Sequence, residues 1–233
     1  MVIDRPMVKS RAKEVLRASY LKSVAVSLVL FITLYGAAGS SATNSGAPTE
    51  VMQAGSYTAA IPMSVAALIL GFAGILMLIM LLIRVFVLNI LEIGCRRFFM
   101  ETSYGDTGIG VIVKPFSRAY LNQAFVMFMR DLFTCLWTML FVIPGFIKMY
   151  SYRLVPYILA EEPEMSMSEA IGLSRSMMDG YKWQTFIFDL SFIGWMILSG
   201  ITFGLVGVFY SNPYYNHASA QLYLYIKEQR GTM

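Results

Sequence analysis

The chain is built from long apolar runs divided by short polar stretches. VAVSLVLFITLY (24–35) and AALILGFAGILMLIMLLI (66–83) contain no charged residue. Runs of this kind approach or exceed the ~18–20 apolar residues that a helix needs to cross a bilayer. They predict six spans, at about 20–38, 62–91, 125–143, 146–160, 183–200 and from 203 onward. Pro62 suits the first turn of the second span. That run is about 45 Å long at ~1.5 Å per residue, so it tilts or emerges on one side. Pro144-Gly145 breaks the third span. The segment 146–160, FIKMYSYRLVPYILA, carries Lys148, Arg153 and Pro156. Two readings of it stand, a short fourth span or a polar hairpin arm. The alternating ten-residue segments of a membrane β-barrel do not occur.

Between the apolar runs lie helical patterns with one apolar face. In residues 7–19, Val8, Ala12, Val15, Leu16 and Ser19 share a face, while Lys9, Arg11, Lys13 and Arg17 supply charge elsewhere. This predicts an amphipathic helix on an anionic inner leaflet. A second such helix is predicted within 111–128, with Lys114 and Arg118. A third falls within 161–183, capped by Ser166 or Ser168, with Glu169 in its first turn and Gly180 at its end. The expected fold class is therefore all-α: a polytopic helical membrane protein with six transmembrane helices and three interfacial amphipathic helices. The pattern suggests a threefold helix-plus-hairpin repeat within one membrane domain, divided as 1–101, 102–161 and 162–233.

Composition agrees with that class. The 233 residues are 57% hydrophobic and 14% charged, with mean hydropathy +0.62; soluble domains carry about 25% charged residues. The net charge of +4 has a membrane explanation, since basic residues gather beside spans on the cytoplasmic side. No basic–aromatic motif points to nucleic acid. Residues 39–60 hold no Lys or Arg, only Glu50, which puts that loop outside and both termini in the cytoplasm. GAAGSSA (36–42) resembles a signal-peptide cleavage site, but six Lys/Arg precede the first run and favour a retained anchor. Cys95, Cys135 and His217 form no disulfide framework or metal motif. The tyrosines at 150, 152, 157, 210, 214 and 215 fit interfacial belts, and the 17 methionines fit adaptable packing. No catalytic motif occurs, so no enzyme activity, cofactor or metal is expected.

Charges inside the apolar runs are the candidate chemistry. Asp189 lies about five residues into the fifth span, about 8 Å deep. Asp131 sits at a similar depth, Arg153 in the fourth segment, and Arg84 near the inner end of the second span. These four form a candidate intramembrane polar layer. Buried charges in a membrane are costly and pair, so Asp189 is expected to meet Arg84 or Arg153. The layer is either a structural ion-pair girdle or a polar cavity for an ion, a proton or a lipid headgroup; Arg84 can also snorkel. Glu92 and Arg96 are expected to form an ordinary helix-surface pair.

Three stretches, LEIGCRRFFME, LWTMLFVIPGFIKMYSYRLVPYILAEEPEMS and SEAIGLSRSMMDGYKWQTFIFDLSFIGWMI, resemble an uncharacterised family of bacterial integral membrane proteins, domain of unknown function 975. IPGFIKMYSY with PYILAE, GYKWQTFIFDLSFIGW, and the NPY at 212–214 are the specific marks. The resemblance covers essentially the whole chain and implies a bacterial cytoplasmic (inner) membrane protein, with no activity to carry over. A weaker similarity extends to the membrane-anchoring domain of some glycerophosphodiester phosphodiesterases, which implies a lipid context by analogy. The expected function is a non-enzymatic membrane accessory, scaffold or lipid-handling protein. A small transporter or channel using the inner-leaflet charges, and an intramembrane enzyme, are the alternatives. Expected partners are membrane lipids, and another membrane protein or a second copy of the chain.

Overall fold

The computed structural model describes residues 3–35, 63–116 and 119–231. The loop 39–60, the signal-like GAAGSSA, Pro62 and Arg118 lie outside the described residues. No strand occurs among the described residues, so the architecture is all-α.

Helix α1 (Arg5–Ala18) begins where the Asp4 side chain accepts a hydrogen bond from the Met7 N–H at 3.1 Å, with Pro6 in the first turn. At Ser19 the chain bends by 107° into α2 (Tyr20–Tyr35). Helix α3 (Met63–Ile83) is apolar on every side, and every side chain from Leu70 to Ile83 is exposed. A helix apolar all round suits the interior of a large protein or of a membrane. A π-helical turn, Arg84–Leu88, joins it to α4 (Asn89–Glu101). The environment then reverses, because α4 is buried on most sides. It is the central helix, packed by α2, by the 3-10 turn Ile109–Val113, and by three later helices. Gly94 permits the closest of these approaches: a Cβ there would collide with the backbone carbonyl of Ile112.

Helix α5 (Tyr120–Leu140) ends at Phe141, which is extended, and α6 (Val142–Ser151) folds back along it. After a turn, α7 (Val155–Glu161) packs on α4. Helix α8 (Met167–Met178) carries a full capping box from Ser166 and Glu169. Gly180, at φ +80°, takes the left-handed conformation and turns the chain into α9 (Lys182–Leu190) and α10 (Ile193–Ile201). Phe203 and Gly204, both at positive φ, reverse the chain. A second π-helical turn, Gly207–Ser211, leads into α11 (Asn212–Arg230), which lies against α1, α2 and α4.

Large exposed apolar side chains concentrate on three arms: α3, the α5–α6 tip around Leu140–Phe146, and the turn after α10, where Phe203 is 99% exposed. Exposed apolar surface on that scale marks contact with a membrane or with another protein. Two helices are long and apolar enough to cross a membrane, Leu70–Glu101 and Lys182–Ile201, and a third counts if bent α1–α2 is one span. Such helices are consistent with a membrane protein.

Several details differ from the sequence expectation. Six spans and a threefold repeat are not confirmed. The fourth segment is split into α6 and α7, of 10 and 7 residues, because residues 152–154 turn. The amphipathic helix expected within 111–128 is a 3-10 turn followed by the start of α5; Pro115 cannot supply the backbone donor a helix would use there. The break after the third span falls at Phe141, and Pro144 sits in the first turn of α6, where a missing N–H is tolerated. The apolar face of α1 (Val8, Ala12, Leu16) is buried against α11. That face is therefore covered by protein instead of lipid, as is the stripe of α8 at Ala170, Ile171, Met177 and Met178.

Candidate functional site

Helix α4 places Asn89, Glu92 and Arg96 three and four residues apart, hence on one stripe. Neighbouring helices meet that stripe with charge. Arg130 of α5 donates to Glu92 at 3.1 and 3.5 Å and to Asp131 at 2.7 Å. Asn89 donates to Asp131 at 3.3 Å. Arg96 donates to the Tyr157 hydroxyl at 3.2 Å and to Asn216 Oδ1 at 3.4 Å, and approaches Glu92 at 3.7 Å. Asn216 in turn donates to Ser27 at 3.2 Å. Glu92 and Arg96 are thus no surface pair; their side chains are only 7% and 13% exposed. The surface expectation fails because the flanking Ile90, Ile93 and Cys95 are buried as well, so neighbouring helices cover the pair.

Beside this stripe stands a second cluster. Arg153, in the turn after α6, donates to Asp189 of α9 at 2.5 Å, to Tyr215 at 2.9 Å and to Ser219 at 3.4 Å. Asp189 also accepts from the Tyr150 and Tyr215 hydroxyls, both at 3.0 Å. Of the two partners expected for Asp189, it meets Arg153. Asp131 is engaged separately by Arg130 and Asn89. Arg84 opens the π-helical turn and forms no ion pair among the described residues. Of the four layer residues predicted, the structure therefore joins two, places the third in an adjacent network and leaves the fourth outside it. Glu92, Arg96 and Arg130 were missed as layer residues. The signal for the first two was the Asn89–Glu92–Arg96 spacing inside an otherwise apolar helix.

The two clusters share one cavity of about 340 Å³. Its polar floor includes Ser27, Arg96, Asp189, Tyr215 and Asn216, and its walls include Leu34, Phe186, Ile193 and Met196. The last three wall residues are exposed on their outer sides, so the cavity opens onto the apolar surface of α9 and α10. Larger clefts exist. One of about 750 Å³ adjoins Arg11, Glu14 and Glu228, and one of about 980 Å³ adjoins Glu162, Glu164 and Glu169. Those charged groups are exposed and remain solvated, so neither cleft concentrates unspent charge. His217 is buried, its Nε2 2.7 Å from the Ser23 hydroxyl and its ring edge-to-face with Phe99. Cys95 is buried and Cys135 exposed. No group of three metal-ligating side chains occurs among the described residues. The arrangement offers recognition groups around a cavity, and the buried Ser23–His217 contact is not part of its lining.

This chain belongs to the family described as protein of unknown function (DUF975), whose profile matches residues 59–230. The match takes in the charged residues of both clusters but not Ser23 or Ser27. No curated protein and no solved structure matches the chain. The similarity to the membrane-anchoring domain of glycerophosphodiester phosphodiesterases is not shown.

Proposed function

We propose that this chain is a non-enzymatic, lipid-handling integral protein of the bacterial inner membrane, and that it holds a membrane amphiphile in the 340 Å³ cavity. The observation that carries this reading is the cavity's polarity, with charged groups at the floor and half-open apolar walls that merge with the apolar arms. Small-ligand sites share that design, an apolar lining with a few placed polar groups. The topology that fits has six crossings, both termini inside, and the basic side of α1 (Arg5, Arg11, Lys13, Arg17) toward an anionic leaflet. Asp189 argues against the ion-carrier alternative, because three donors already occupy it. An enzyme reading would rest on the Ser23–His217 contact, whose side chains are both fully buried and do not line the cavity.

The test is native mass spectrometry of detergent-extracted protein. Wild type should retain one lipid per chain, and Met196→Trp, which fills the cavity from its wall, should lose it while keeping its melting temperature. A wild type that arrives without lipid refutes the reading. Topology is tested on a chain lacking Cys95 and Cys135, with single cysteines at Ser45, Ser176 or Thr232. The first should label from outside and the other two from inside only.

A further inference from the structure

We infer that the cavity takes a phosphate-bearing amphiphile and that Arg96 binds the phosphate. This deepens the amphiphile reading above and rests on it. The floor holds one negative and one positive side chain, Asp189 and Arg96, and they differ in how much of their charge is already used. Asp189 accepts from Arg153, Tyr150 and Tyr215. Arg96 makes only two long hydrogen bonds, both from Nη1 to neutral oxygens. Its sole carboxylate contact, Glu92 to Nη2 at 3.7 Å, lies beyond hydrogen-bond range. Its Nε is buried with no partner.

The surrounding charges do not make up the shortfall. Glu92 is held more closely by Arg130, and Arg130 also holds Asp131. Of the three largely buried arginines, then, Arg153 has its own carboxylate, Arg130 has two, and Arg96 has a distant share of one. A buried guanidinium left in that state calls for an anion, and its planar fork suits the oxygens of a phosphate. Neighbouring groups are donors too. Ser27 and Asn212 line the same cavity, and Ser27 accepts from Asn216, which leaves its own proton to give. An ammonium headgroup would instead need a free carboxylate, and the floor has none. The walls at Phe186, Ile193 and Met196 are apolar and open, so the chains of a lipid can follow the phosphate while a free phosphate would have to enter past them.

The experiment titrates delipidated full-length protein in detergent with phosphatidylglycerol, with diacylglycerol of the same chains, and with inorganic phosphate as competitor. Wild type should bind phosphatidylglycerol about tenfold or more tightly than diacylglycerol, as one charge-assisted contact implies, and inorganic phosphate should not compete. Arg96→Gln should abolish the preference and leave diacylglycerol binding unchanged; Arg96→Lys should restore part of it. Because Arg96→Gln also alters the hydrogen bonds to Tyr157 and Asn216, Asn212→Asp serves as a second variant. It adds a carboxylate to the lining without altering any contact of Arg96, and should weaken phosphatidylglycerol binding alone. Equal affinity of wild type for the two lipids overturns the inference, as does full phosphatidylglycerol binding by folded Asn212→Asp. Competition by inorganic phosphate overturns the lipid source and assigns the site to free phosphate. Failure to bind either lipid sinks the amphiphile reading itself, a distinguishable result.

Discussion

Replacing Asp189 by Asn tests the second cluster at its centre. The carboxylate accepts three hydrogen bonds, at 2.5 Å from Arg153 and 3.0 Å from each of two tyrosines. An asparagine keeps one acceptor and turns the other into a donor, which then faces a hydroxyl or a guanidinium. The larger loss is ionic, because Arg153 has no other carboxylate partner among the described residues. Removing one member of a fully buried pair costs about 3–5 kcal/mol. Here the side chains are 18% and 22% exposed, and Arg153 keeps Tyr215 and Ser219, so about 3 kcal/mol is expected. For a chain of this size each kcal/mol moves the melting temperature by about 2–4 °C, giving a fall of roughly 6–12 °C. The assay is thermal unfolding in detergent. The companion variant is the double replacement Arg153→Met with Asp189→Leu, which removes both charges and should recover most of the loss, since apolar substitutes for buried pairs are often neutral. An Asp189→Asn protein melting within about 2 °C of wild type, or a double variant as unstable as the sum of the singles, would refute the girdle.

Two further predictions use other parts of the fold. Gly94→Ala should lower the melting temperature by several degrees, because the new Cβ meets the Ile112 backbone and overpacking of that kind costs about 1–3 kcal/mol; the same change at the open Gly172 should not. The hydroxyl and backbone N–H of Ser166 hold the Glu169 carboxyl below the usual glutamate range. A depressed carboxyl stabilises the folded chain above its ordinary pKa, and that contribution is lost as pH falls through the lowered value. Carbon-detected NMR titration should find the low pKa in wild type and its return toward the ordinary range in Ser166→Ala.

What the sequence disclosed divides by physical cause. Local signals are legible: a serine cap at 166 or 168 with Glu169, of which the structure uses Ser166, the turn at Gly180, and the apolar runs behind Leu70–Glu101 and Lys182–Ile201. Pairing across the bundle was legible only where an isolated charge in an apolar run demanded a partner, as Asp189 did. Glu92 and Arg96 stayed hidden because i,i+4 spacing looks the same on a solvated face and on a buried one. Only burial distinguishes the two, and burial depends on where α5, α7 and α11 land. The same limit governs α1 and α8. Their amphipathic stripes are plain in the sequence, yet a stripe does not say whether lipid or another helix covers it, and α11 covers that of α1.

The two π-helical turns tie the apolar arms to the polar layer. Arg84–Leu88 immediately precedes Asn89, the first residue of the polar stripe, and Gly207–Ser211 immediately precedes Asn212 at the cavity. A π-turn absorbs one extra residue within an α-helix, a residue that in regular helix would rotate everything beyond it by about 100°. Upstream of the first turn the helix faces outward on every side; downstream of it, Asn89, Glu92 and Arg96 face Asp131, Arg130 and Asn216. Inserting one alanine after Val87, which lies in the turn and is exposed, adds a residue that the turn has not absorbed and should leave the apolar run able to cross the membrane. It should also swing the stripe away from Arg130 by about 100°. The loss then falls on the polar layer, with reduced thermal stability and, on the phosphate reading, no preference for phosphatidylglycerol over diacylglycerol. An insertion variant that melts like wild type and keeps that preference would show that the turn does not set the register of Arg96.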